Sequence, residues 1–452
     1  MNLVEAVKAA GVVGAGGAGF PTNVKLDAKA DVFIVNAAEC EPLIETDKFL
    51  CRSFAREIIE GTELIAGHLG AERRVIALKG KYKDEIRALE EAISELSSNV
   101  EIFKMGEFYP AGDEQTLVYE VCGVSVPERG IPLNVGVVVD NVGTVINVKA
   151  AEKEIPVTDK YLSVVGSVKT PLMLNVPIGT GIRECVEKAK PEFEDYAVIV
   201  GGPMMGKIII DDQEIHNTYI TKTTGNLIVL PRDHYLIRHW EMPLEKIRHT
   251  AKSACIQCRM CTDLCPRYLI GHKIRPHHVM RNFWREPAIE DNDEFLRCFG
   301  DSANCCDCGA CEMFSCPMGL SPKRVNVYLK GKLRERGLNP DRNMAPESRE
   351  EISHRRIPIS RLVSRLGLTA LYGRYSGREC ERLNPETVYI HFSQHIGKPA
   401  VPVKSDGDKV SKGELIAKAD ESGLSANIHS SIDGVISEIS AEGARITRQG
   451  VQ

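Results

Sequence analysis

Two stretches decide how this chain is organised: Cys255-Ile256-Gln257-Cys258-Arg259-Met260-Cys261-Thr262-Asp263-Leu264-Cys265-Pro266 and, further on, Cys305-Cys306-Asp307-Cys308-Gly309-Ala310-Cys311-Glu312-Met313-Phe314-Ser315-Cys316-Pro317. In each, three cysteines recur at every third position and a fourth stands before a proline, with one extra residue ahead of the last cysteine in the second run. Three thiolates so spaced can wrap three corners of one iron–sulfur cubane, and paired runs of this form hold two 4Fe-4S clusters, the fourth cysteine of each run ligating the other cluster. The expected ligand sets are Cys255, Cys258, Cys261 and Cys316 for one cluster, and Cys305, Cys308, Cys311 and Cys265 for the other. A pair of zinc sites is the rival reading, since CxxC pairs also suit tetrahedral zinc. Zinc leaves the regular third cysteine and the trailing proline unexplained. Cys298 and Cys306 fall out of register and read as spare thiols.

Outward from the first run, Arg259, Arg267, His272, Lys273, Arg275, His277 and His278 are close in sequence. Some of them either tune a cluster or dock a partner, or the group forms a solvated basic face. The surrounding segment, 236–338, has a helical pattern with the cysteine runs set between helices and Gly337 as its stop. Before it, residues 1–155 alternate buried strands (Phe33-Ile34-Val35, Val75 to Leu78, Val135 to Val139) with helical periodicity over 84–96, which predicts an α/β domain. Val145 to Val148 suits either helix or strand. Residues 156–235 hold short β-like runs around a helical Ile182 to Lys188, an α+β module. Residues 339–388, broken by prolines and charges, read as a linker, and 389–452 returns to short strands with turns at Asp406-Gly407-Asp408 and Asp433-Gly434, a small all-β module.

A chain of 452 residues exceeds what one core serves, so this multidomain reading is the expected one. Its 43% hydrophobic and 26% charged content is that of a globular protein. No stretch is apolar enough for a membrane span, and the start MNLVEAVKAAG lacks the basic and apolar regions of an export signal, so a cytoplasmic protein is expected. Its fifteen cysteines should then be mostly reduced. A net charge of -5 gives no general reason to expect nucleic acid as a partner.

Near the amino terminus stands Gly11-Val12-Val13-Gly14-Ala15-Gly16-Gly17-Ala18-Gly19-Phe20-Pro21-Thr22. So many glycines let backbone amides approach a phosphate or flavin closely, although a structural turn would look the same. Three further segments cluster amides, carboxylates and hydroxyls at the ends of predicted elements: Asn36-Ala37-Ala38-Glu39-Cys40-Glu41-Pro42, Tyr109-Pro110-Ala111-Gly112-Asp113-Glu114, and Asp140-Asn141-Val142-Gly143-Thr144. Such groups can hydrogen-bond a flavin or a nicotinamide ribose.

In this order, GAGGAGFPT, NAAECEP, YPAGDEQTL and DNVGT resemble the flavin- and NADH-binding domain shared by the flavoprotein subunit of respiratory complex I and the RnfC component of the Rnf complex. With VGGPMMG at 200–206, the cysteine runs and the terminal β-module, the likeness spans nearly the whole chain. The module order is similar to that of the propanediol-utilisation cobalamin reductases, and a related set of soluble RnfC-like proteins is nearly as similar. The resemblance implies a Rossmann-like FMN and NADH domain, a soluble-ligand-binding β-grasp module, a helical ferredoxin-type dicluster domain and a C-terminal barrel-sandwich hybrid. By motif, it implies that Gly14, Gly16, Gly17 and Lys25 cradle FMN, with Asn36, Glu39, Gly112, Asn141 and Thr144 completing the site. Phe20 would stack on the nicotinamide nucleotide, and Glu41 and Glu114 would contact its ribose or amide as the catalytic pair. Two residues depart from the complex I pattern: Ala15 replaces an arginine and Ala38 an acidic residue. The implied activity is NADH-dependent electron transfer through FMN and two 4Fe-4S clusters. The implied acceptor is cob(III)/cob(II)alamin or, for an RnfC-like component of a soluble complex, a partner reductase such as methylenetetrahydrofolate reductase. An adaptor that has lost nucleotide binding is a third reading. The resemblance also implies residence in the cytoplasm or inside a bacterial microcompartment. The β-grasp module would hold a corrinoid or be structural. The terminal module has no carrier lysine at its hairpin Leu424 to Ile428, so it reads as a docking domain.

Overall fold

Val32–Asn36 and Arg73–Lys79 are short apolar runs whose side chains alternate between two cores: Phe33, Val35, Ile76 and Leu78 enter one, and Ile34, Val75 and Ala77 the other. Burial on both faces marks a central parallel strand. The two lie in a four-stranded parallel sheet ordered Glu101–Met105, Arg73–Lys79, Val32–Asn36, Val137–Asn141. Parallel neighbours need a crossover, supplied here by helices such as Ala55–Leu69, Lys83–Leu96 and Glu114–Cys122. Val145 to Val148 fall in the helix Val142–Glu152, which starts where the Asn141 side chain accepts the Gly143 amide. This computed structural model describes residues 1–375 and 377–448.

A second, six-stranded mixed sheet runs Cys380–Arg382, Leu172–Pro177, Asp159–Gly166, Asn226–Pro231, Tyr196–Val200, Lys207–Ile209. Its central pair, Asp159–Gly166 and Asn226–Pro231, is parallel and is flanked by antiparallel neighbours. The helix Ile182–Ala189 packs on it through Ile182, Cys185, Val186 and Ala189, spaced as one helical face. From Tyr235 to Glu335 the chain is helical, and Ile247, Phe283, Phe295, Phe299, Val325 and Leu329 share a core.

The C-terminal strands form a four-stranded antiparallel sheet (Thr387–His391, Gly443–Thr447, Gly434–Ile439, Lys409–Val410) and a three-stranded one (Val401–Pro402, Leu415–Lys418, Ile428–His429). Their inward residues Ile390, Phe392, Ile416, Ile428 and Ile446 belong to the same continuous core as Phe33 and Val35 of the first sheet. The proline-broken segment 339–388 forms short elements docked on other parts: Ile357–Pro358 pairs with Phe108–Tyr109, Ile359–Arg365 is helical, and Cys380–Arg382 edges the second sheet. Among the described residues no helix is long and apolar enough to cross a membrane.

Candidate functional site

The two cysteine runs fold around two separate cavities. One is lined by Cys255, Cys258, Cys261 and Cys316. The other is lined by Cys265, Cys305, Cys308 and Cys311, with Cys306 also at its wall. Each quartet thus takes three cysteines from one run and the fourth from the other. The backbone bends in the same way in both runs. Gln257 and Arg259 take positive φ values of 56° and 66°, and Asp307 and Gly309 values of 60° and 74°, so each turn passes through the left-handed region twice. Donors approach sulfur as well: the Asp307 amide lies 3.4 Å from Cys305 Sγ, the Leu320 amide 3.4 Å from Cys316 Sγ, and Gln257 Nε2 3.1 Å from Cys255 Sγ. Donors to ligand sulfur favour an anionic, reducible cluster. Each quartet lines a space and offers four thiols around it, a donor set that suits a cubane. Burial pushes the Cys261 and Cys265 thiols up to about 12.

The flavin candidates gather at the carboxyl ends of the parallel strands. Asn36 and Asn141 end adjacent strands and are register partners. They stand where the sheet order reverses, between Val32–Asn36 and Val137–Asn141, which is where open parallel sheets bind ligands. The glycine loop crosses this end. It is closed by the Gly14 amide on Phe20 O at 2.9 Å, and the Ala15 amide donates to Thr144 Oγ1 at 2.9 Å. A Cβ on Gly16 would stand 3.2 Å from the Asn141 side chain, and Gly17, at φ 114°, faces open space. The amides of Gly16, Gly17 and Ala18 have no hydrogen-bond partner among the described residues. Three exposed, unpaired amides in a glycine turn suit a phosphate.

Beside this cradle, Asn36 Nδ2 donates to Gly112 O at 2.9 Å and its Oδ1 accepts the Ala38 amide at 3.1 Å. A Cβ on Gly112 would stand 2.5 Å from Ala38 O, so this approach requires glycine. Lys25 Nζ donates to Val139 O at 2.7 Å and stands 3.3 Å from Asp140 and 3.6 Å from Glu114. Burial would lower its pKa, but the two carboxylates outweigh burial and raise it. Asp140 Oδ2 is buried and has no hydrogen-bond partner among the described residues. Burial, with Asp47 nearby, raises the Glu39 carboxyl well above the usual range. Phe20 is half-buried on the loop. Glu41 is held from the second sheet region. Its Oε2 accepts the amides of Met204 at 2.7 Å and Met205 at 3.4 Å, so the Gly201–Gly206 turn already engages the carboxylate.

Several contacts join cradle and cavities, and sequence reading missed them. Arg267, directly after Cys265-Pro266, forks onto Asp113 with Nη1–Oδ2 at 2.5 Å and Nη2–Oδ1 at 2.9 Å. Asp113 in turn caps the helix Glu114–Cys122 through the Thr116 amide. Arg267 and His272 are buried, the latter on Val126 O at 2.8 Å, so neither belongs to a solvated basic face. Tyr109 donates its hydroxyl to Cys308 O, and Lys323 Nζ donates to Met204 O at 2.8 Å beneath the Trp240 ring. The second cavity is therefore built against the flavin candidates. The first lies outside, with Cys258 exposed and Ile256 and Met318 around it 60% and 46% exposed. A cap position before a helix was the available signal for Asp113; Arg267 had none.

Comparison with known proteins agrees with this division. Residues 7–150 match the Nuo51 FMN-binding domain, 254–321 the 4Fe-4S dicluster domain, and 379–449 the RnfC barrel sandwich hybrid domain. The chain is 40% identical over 455 residues to cobalamin reductase PduS of Citrobacter freundii, covering 99% of this chain and 96% of that one. It is 39% identical over 451 residues to cobalamin reductase PduS of Salmonella typhimurium, with the same coverage of 99% and 96%. A component of the Na(+)-translocating ferredoxin:NAD(+) oxidoreductase complex of Acetobacterium woodii is 32% identical over 282 residues, which is 61% of this chain and 60% of that one. On whole-length identity and matching domains together, this chain belongs to the PduS cobalamin reductase family.

Proposed function

We propose that the protein takes electrons from NADH at an FMN site, carries them singly through two 4Fe-4S clusters, and delivers them to cobalamin. The observation that carries this reading is the junction of cradle and second cavity, where Asp113 and Tyr109 of the flavin loops bind Arg267 and Cys308 O. When bound, a flavin accepts two electrons as hydride and releases them one at a time, which single-electron clusters then relay. The residues divide that task. The free amides of Gly16 and Gly17 receive the phosphate, while Asn36, Gly112, Glu39, Asn141 and Thr144 shape the ring and ribityl site beside Lys25. Phe20 stacks on the nicotinamide nucleotide, and Glu114 orients its ribose or amide, with Glu41 at the Gly201–Gly206 turn. Cys305, Cys308, Cys311 and Cys265 hold the inner cluster and Cys255, Cys258, Cys261 and Cys316 the outer one, from which electrons leave.

In this reading the chain divides into an FMN/NADH domain (1–155), a β-grasp module (156–235), a dicluster domain (236–338), a linker (339–388) and a barrel-sandwich module (389–452). The central parallel pair with antiparallel neighbours and one packed helix supports the β-grasp assignment. The place of action is the cytoplasm, or a microcompartment, beside a cobalamin-dependent system.

The test is anaerobic titration with NADH, read by flavin and cluster absorbance and by EPR, followed by cob(III)alamin. Bleaching of both chromophores and then the spectrum of lower cobalt states is expected. If NADH reduces neither chromophore, the proposal fails. The likeness to the Acetobacterium woodii protein favours one second reading, in which the acceptor is a partner reductase. That reading predicts the same bleaching with no change in cobalamin.

A further inference from the structure

Two lysines of the second sheet region are buried directly behind the glycine loop. Lys160 is 9% exposed and Lys222 3%. Lys160 Nζ donates to Ala15 O at 3.2 Å and to Lys222 O at 2.8 Å, and Lys222 Nζ donates to Gly11 O and Asn427 O, each at 2.7 Å. All four acceptors are neutral carbonyls. The opposing charge felt by Lys160 is Asp47, which also accepts from Asn141 Nδ2 at 2.7 Å; Lys222 has none among the described residues. Burial pushes Lys160 down to about 8 despite Asp47 and Lys222 down to about 7, so the two ammonium groups share a single opposing carboxylate among the described residues. A buried ammonium without a compensating anion is costly.

Peptide geometry connects these lysines to the ligand side of the loop. In a trans peptide the carbonyl and the following N–H point in opposite directions. A lysine that grips Ala15 O therefore turns the Gly16 amide towards the opposite side, and Gly16 N–H is one of the three unpaired amides of the cradle.

We propose that Lys160 and Lys222 are positioning residues for the flavin phosphate, holding the glycine loop by its carbonyls and supplying the positive field that a phosphate dianion in front of the loop completes. This rests on the FMN reading of the cradle. It also gives the second sheet region a role in cofactor selection that its own surface does not reveal.

The discriminating ligand pair is FMN and riboflavin, which differ by the phosphate alone. Binding is followed by quenching of flavin fluorescence on flavin-free protein with its clusters in place, for wild type, Lys160→Met and Lys222→Met, with cluster absorbance reporting intact folding. Wild type should prefer FMN, and each variant should lose about tenfold of that preference with riboflavin affinity unchanged. Equal losses for both flavins, or an unaltered preference, would overturn the proposal while leaving the FMN site standing. A wild type with no preference would overturn the phosphate cradle and this proposal together. If either methionine variant does not fold, Lys160→Arg against Lys160→Gln and Lys222→Arg against Lys222→Gln make the same comparison, and only the arginine forms should keep the preference.

Discussion

The Arg267 and Asp113 side chains are both largely enclosed, at 9% and 16% exposed, and their forked pair offsets the desolvation of each. Burial alone would raise the Asp113 carboxyl, but the guanidinium outweighs burial and holds it below the usual range. Removing one partner of a buried pair leaves an uncompensated charge, so Arg267→Met should cost about 3–5 kcal/mol. Adding Asp113→Asn should restore much of that, as a denaturation midpoint series would reveal. The same single variant should slow cluster bleaching after flavin reduction in stopped-flow absorbance, because the junction loses its clamp. His429 gives a pH signature. Burial first, then Lys222, depresses its pKa to about 3 from 6.5. The unfolded chain then binds a proton that the folded one refuses, so this group's contribution to stability is present above about pH 6.5 and lost as pH falls towards 3. Between about pH 7.5 and 5.5 wild type should lose about 1.4 kcal/mol that His429→Gln does not, measured as the difference between the two denaturation series.

At the level of elements, the cysteine runs are where sequence reading reached furthest. Ligand spacing is written locally, so both quartets could be proposed from the sequence, and each of the two cavities is lined by one of them. Crossing has a sharp consequence for single variants. Cys316→Ser should delete the EPR signal of the cluster held mainly by the first run, and Cys265→Ser that of the second. The reverse outcome would show that each run serves its own cluster. The parallel strands were equally legible, because Val75 to Leu78 and Phe33 to Val35 are apolar without interruption. The helix Val142–Glu152 was not: its apolar residues lie on several sides, and what starts it is the Asn141 side chain. Arg267 was read as one basic residue among many because its partner lies 154 positions earlier, a distance over which local pattern carries no information. Lys160 and Lys222 escaped for a similar reason, since their partners are carbonyls brought near only by folding.

Across the whole molecule, the last module closes back on the first. Asn427 O meets Lys222 Nζ, Asn427 Nδ2 reaches Ala9 O at 3.3 Å, and the Ile396 amide donates to Gly19 O at 3.0 Å. The hairpin that would bear a carrier lysine is thus packed against the start of the glycine loop. Gly11 is the tightest point of this closure: its φ is 66°, and a Cβ there would overlap Asn427 O and stand 2.8 Å from Lys222 Nζ. Gly11→Ala should therefore lower stability by about 1–3 kcal/mol and weaken flavin retention, read from the denaturation midpoint and from the flavin-to-protein ratio after gel filtration. An unchanged ratio would mean that the closure has no bearing on the cradle. The two cavities also differ in their depth within the molecule, one pressed against the flavin loops and the other opening at Cys258 between exposed Ile256 and Met318. With two clusters bound as proposed, dioxygen arriving from solvent would meet the one at Cys258 first. Air should therefore convert the protein by stages, first into a form that still draws electrons from NADH inward but has no exit for them, and only later into a bare flavoprotein.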